Sequence, residues 1–72
     1  MSRLNGQAEM TEVVVTMKHQ TERAVLINDG TVDHWLPKSQ VYPEDSGGVF
    51  PEKGITFTLM VPEWLAKKLG LI

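Results

Sequence analysis

The chain has 72 residues, no cysteine, 9 acidic against 7 basic side chains, and a formal net charge of −2. That length allows one domain, and the missing cysteines exclude disulfide staples, thiolate metal ligands and a cysteine nucleophile. The charges are scattered, which argues against a polyanion-binding face across the whole molecule and leaves only local basic patches to weigh.

Residues 1–10 are polar, contain Gly6 and follow no period, so a loose tail is expected, with one domain over 11–72. The opening residues, Met1 to Gly6, lack the apolar core of a signal peptide. The longest apolar run, Ala24 to Ile27, is far short of a membrane span. A cytoplasmic location is the expectation. Glu12 to Lys18 is β-branched and short, hence a strand. His19, Gln20 and Thr21 make a brief polar connection to a second strand, Glu22 to Asn28. Asp29-Gly30 fits a type I′ hairpin turn, in which both central residues need positive φ.

Thr31 to Leu36 is the third strand, ended by Pro37, which removes a ladder donor. Lys38, Ser39 and Gln40 can then form one 3₁₀ turn that returns Val41 to the core. Residues 43–54 hold Pro43, Gly47, Gly48, Pro51 and Gly54 and read as a loop. Ile55 to Val61 alternates cleanly, with Ile55, Phe57, Leu59 and Val61 on one face. Pro62 suits a first helical position, Glu63 the positive helix end, Lys67 and Lys68 the last turn, and Gly70 the C-terminal cap. A helix of barely two turns persists only by docking its apolar side.

The turns also predict a register. A two-residue turn at Asp29-Gly30 sets Leu26 opposite Asp33 and Ala24 opposite Trp35, with Val25, Ile27, Val32 and His34 on the other face. A two-residue turn at Gln20-Thr21 would add Met17 to the Ala24 and Trp35 face, and Val14 to the Ile27 and Val32 face. Both faces would then be substantially apolar, and the second would need a cover: the C-terminal helix or a second copy of the chain. A one-residue slip at the second turn swaps the faces.

The Trp35-Leu36-Pro37 ending, followed by polar residues and Val41, resembles the Trp/Phe-Pro-x-x-x-Val ending of SH3-like barrels. That resemblance implies topology and no peptide-binding residues, because the rest of the SH3 ligand surface is absent. Residues 22–42 and 55–72, with Trp-Leu-Pro-Lys-Ser-Gln-Val and Val-Pro-Glu-Trp-Leu, resemble a set of small bacterial proteins from phage or plasmid-derived regions. This second resemblance implies an accessory, mobile-element context and carries no activity with it.

Chemistry is sparse. Trp35 could stack on a base while Lys38 and Ser39 hold a phosphate, with Lys18 and Arg23 extending a basic strip. The plainer alternative buries Trp35 in the core and leaves Lys38 a solvated turn residue. Lys67 and Lys68 beside Trp64 could form a second basic patch or touch a membrane surface, but late helix lysines ordinarily complement the dipole. His19 and His34, without cysteine, fall short of a zinc ligand set. Asp33, His34 and Ser39 do not make a triad, because adjacent strand residues point to opposite faces. Glu44, Asp45 and Glu52 lack the spacing of a paired acid and base, and Gly47-Gly48 lacks the Lys-Ser/Thr of a phosphate loop. A catalytic reading would require a deep pocket holding His34 against a carboxylate.

The expected fold is therefore mainly β: a small antiparallel meander or partial barrel, SH3-like or related, of four to five strands with a short C-terminal helix. The expected role is a non-enzymatic accessory or protein-interaction module without metal or cofactor, acting on a protein partner or as a homodimer. The alternative is a nucleic-acid-binding module that uses Trp35, Lys38, Ser39, Lys18 and Arg23.

Overall fold

The structure is a computed structural model and describes residues 9–72. Most of the expected tail lies outside the described residues, and Met10 already belongs to the first strand. Five strands follow in chain order: β1 (Met10–Gln20), β2 (Ala24–Asn28), β3 (Asp33–Pro37), β4 (Tyr42–Pro43) and β5 (Thr56–Pro62). A 3₁₀ turn (Lys38–Gln40) separates β3 from β4, and a helix, α1 (Glu63–Leu69), closes the chain. The strands pair antiparallel in one unclosed sheet, ordered β3-β2-β1-β5-β4. The mainly-β meander with a short C-terminal helix is thus the architecture. The Pro37 stop and the return of Val41, 7% exposed, follow the sequence reading.

β1 is the spine. Its first part, Met10 to Thr16, pairs with β5, and its last part, Thr16 to Gln20, pairs with β2. Lys18 is an extra residue within the part paired to β2, because Met17 faces Ile27 while His19 faces Leu26. Such a bulge bends the strand and shifts the side-chain alternation by one. Val13, Val15 and Met17 point into the core, whereas His19 is turned to the outer face beside Leu26 and Trp35.

That bulge, with the longer turn beside it, corrects the predicted register. The β1–β2 connection is Thr21-Glu22-Arg23, not Gln20-Thr21, and Thr21 N–H donates to Ala24 O at 2.8 Å. Met17 therefore shares a face with Val25 and Ile27, not with Ala24 and Trp35, and Val14 lies on the outer face at 67% exposure. The β2–β3 turn also differs from the expected two-residue form. It spans residues 29–32, with Asp29 N–H donating to Val32 O at 3.1 Å and Asn28 opposite Asp33. This second shift is by two residues, so the faces of β2 and β3 stay as expected.

One face of the sheet is the core: Val13, Val15, Met17, Val25, Ile27, Leu36, Phe57, Leu59 and Val61 are all buried. Leu65 and Ala66 of α1 cover it, joined by Val41 and by the partly buried Phe50 and Leu69. Ile55, expected on this face, stands just before β5 and is 49% exposed. The chain itself covers this face, while Val14, Trp35 and Tyr42 stand exposed on the other.

The helix is fixed at both ends by backbone. Pro62 is its N-cap, one position earlier than predicted, and contributes no side-chain bond. Glu63 N–H donates instead to Glu9 O at 2.7 Å, so the residue just before β1 caps α1. Gly70, at φ +75°, takes the left-handed C-terminal position and donates to Lys67 O, while Leu71 N–H returns to Ala66 O at 2.8 Å.

Candidate functional site: an open sheet edge and a basic cleft

The two sheet edges differ. At β4, Glu44 N–H donates inward to Thr58 O at 3.0 Å, and the outward carbonyl of Pro43 accepts Gly48 N–H at 3.2 Å. That edge is sealed by its own loop. At β3, Lys38 N–H donates to Arg23 O at 2.8 Å and Asp29 N–H to Val32 O, which sets the phase of the β2–β3 ladder. Antiparallel pairs alternate in hydrogen bonding, so His34 and Leu36 bond to β2 while Asp33, Trp35 and Pro37 turn their backbone polar groups to the side that bears no neighbouring strand among the described residues. Pro37, at φ −72°, offers only its carbonyl there.

Trp35 sits in the middle of this edge and is 52% exposed. It opposes Leu26, and the His19 ring meets it edge-on at 6.1 Å between centroids. The T-shaped contact suits the indole quadrupole and holds the ring without burying it. The alternative that placed Trp35 in the core is thereby corrected: Leu36, at 1% exposure, is the core residue of β3.

Lys38 lies on the other side of the hairpin. Its Nζ donates to Gln20 Oε1 at 2.9 Å and stands over the Phe50 ring at 5.3 Å from the centroid. Gln20 Nε2 in turn donates to Pro51 O at 3.1 Å. Lys38 is therefore a half-buried clasp between the hairpin and the 43–55 loop, not a solvated turn residue. It also lines a cleft of about 400 Å³ with Glu22, Arg23 and Ser39. Of the residues singled out from sequence, the structure brings Arg23, Lys38 and Ser39 together. It leaves Trp35 on the outer face and Lys18 exposed at the bulge.

At the opposite end of the β2–β3 hairpin is a pair the sequence reading missed. His34 Nε2 lies 2.9 Å from Asp29 Oδ2, with side chains 11% and 19% exposed. Asp29 Oδ1 accepts the N–H groups of Thr31 and Val32, each at 2.8 Å. The Val32 N–H, then His34, then the Thr31 N–H hold the Asp29 carboxyl down at about 2. Asp33, the other half of the rejected triad, accepts from Asn28 Nδ2 at 2.8 Å. His34 and its carboxylate are in contact, but neither lines the cleft. The wider turn was the missing signal: a loop over 29–32 lets Asp29 reach across to β3.

A third cluster holds Glu12, Glu44 and Asp45. Glu44 is raised above its ordinary 4.5 by its hydrogen bond with Glu12, then by burial and the neighbouring carboxylates. Asp45 Oδ2 is used structurally, accepting Thr58 N–H at 3.0 Å. Among the described residues no three His, Asp or Glu side chains converge as a metal would require, and no helix is long and apolar enough to cross a membrane. No family model, curated protein or solved structure matches the chain.

Proposed function

We propose that this chain is a non-enzymatic protein-interaction module that docks a partner along β3. The observation that carries the reading is Trp35, more than half exposed on the sheet's open edge strand and held in place by His19. Exposed aromatics of this kind are the usual anchors of protein contacts, and a free strand edge supplies backbone bonds as well. An accessory role in a mobile-element setting accords with this reading. A hetero-partner is favoured over a homodimer, because α1 and the chain's own loop already cover the apolar face.

Selection from a random peptide display library tests the proposal. A consensus should be enriched, and its binding should vanish in Trp35→Ala while surviving Trp64→Phe. Enrichment of nothing, or of peptides indifferent to Trp35, rejects it.

The nucleic-acid reading retains one supporting observation, the cleft that gathers Arg23, Lys38 and Ser39. Against it, Trp35 stands on the outer face, so stacking and phosphate contacts are split. A salt-dependent shift of labelled single strands, weakened by Lys38→Ala, would revive it.

A further inference from the structure

Lys38 is half-buried, yet its partners among the described residues are neutral: an amide oxygen and an aromatic ring. Arg23, exposed beside it, makes no ion pair among the described residues either. A partly desolvated ammonium without a counter-ion favours an anion nearby. The cleft presents that ammonium, the Arg23 guanidinium and the Ser39 hydroxyl around one space, with Glu22 on its wall. Two cations against one carboxylate leave a formal charge of +1, which one carboxylate neutralises.

The cleft begins where β3 ends. Pro37 is the last residue of the strand, and Lys38 and Ser39 follow it directly. The free edge before them carries the N–H groups of Asp33 and Trp35 and the carbonyls of Asp33, Trp35 and Pro37. The edge thus has a direction in charge: an acid, Asp33, at its start and a net positive cleft at its finish.

We propose that the β3 edge captures an extended acidic segment of a partner protein, whose carboxylate seats between Arg23, Lys38 and Ser39. The proposal rests on the docking role given to β3 and names the partner's chemistry. The backbone of the segment bonds to Asp33 and Trp35, its neutral end lies near Asp33, and its acidic end reaches the cleft. A second copy of β3 is a poor occupant, because its one acid, Asp33, is already bonded to Asn28. A nucleic acid is disfavoured by the net charge of −2 and by the separation of Trp35 from Lys38.

The test uses the full chain and two synthetic peptides, both β-branched and extended, one ending in glutamates and the other in glutamines. Binding is read by amide shifts in nuclear magnetic resonance. The acidic peptide should bind about tenfold or more tightly than its amide counterpart, shifting Asp33, Trp35 and Ser39. Arg23→Gln should erase that preference. It is chosen because Arg23 is exposed and its backbone bond to Lys38 is retained, whereas Lys38→Gln also loosens the 43–55 loop. Equal binding of the two peptides, with Trp35 still required, overturns the acidic cleft and leaves the docking role standing. Binding of neither peptide, or tighter binding of a single-stranded oligonucleotide, overturns the proposal. Display selection separately decides the fate of the docking role.

Discussion

At the scale of single residues, two carboxyls pull stability in opposite directions with pH. Asp29 has a folded value of about 2 against an ordinary 3.8, so it stabilises the fold above 3.8 and loses that contribution as pH falls toward 2. Asp29→Asn should therefore melt lower than the parent at pH 7, and the gap should close between pH 3.8 and about 2, followed by thermal melts across that range. Glu44 is the reverse case. Its value is raised above 4.5, so its contribution is favourable only while it is protonated and is lost as pH rises through the folded value. Ionised Glu44 then stands against Glu12 and Asp45. Glu44→Gln should raise the melting temperature at pH 7 and leave it nearly unchanged below pH 4.5, and an equal shift at both pH values would refute the Glu12 contact.

At the scale of elements, α1 has two turns and holds its place by packing and caps rather than by propensity. Leu65 is 8% exposed and packs in the core, so Leu65→Ala should cost about 2–5 kcal/mol by denaturant melts. In a domain of marginal stability that loss would show as partial unfolding at room temperature. Gly70→Ala adds a methyl that meets nothing but places an L side chain at φ +75°, so it should cost about 1 kcal/mol through backbone alone. Both elements were legible in sequence because their signals are local: Pro62 and Gly70 bracket the helix, and Pro37 with Val41 brackets the 3₁₀ turn. The β1–β2 register was not, because it depends on the bulge at Lys18. Nothing in Met17-Lys18-His19 marks an extra residue. The bulge is fixed from outside, where Met17 bonds through both backbone groups to Gly54 and Ile55. The candidate site was half legible for the same reason. Arg23, Lys38 and Ser39 lie at one hairpin end and meet there, while the pairing of Trp35 with His19 required the bulge.

At the scale of the whole molecule, the sheet is asymmetric: the β4 edge is closed by its loop, and the β3 edge is open but short of donors. An unguarded edge is a template for further strands, and natural sheets blunt it with proline and charge. Pro37 and Asp33 stand at the two ends of β3 in these roles, which leaves two outward N–H groups, those of Asp33 and Trp35, free. That arrangement is wide enough for one short extended segment and too poor in donors for runaway pairing. Amide exchange should show the phase directly, with Asp33 and Trp35 fast and His34 and Leu36 protected. Removing the proline tests the guard itself. Pro37→Val restores an outward N–H and raises β propensity without touching the core, since Pro37 is exposed and Leu36 makes the buried contact. The parent chain should sediment as a monomer across concentration, while Pro37→Val should associate as concentration rises and bind an edge-docking peptide more tightly. A variant that remains monomeric and binds no better would show that β3 is not a working edge.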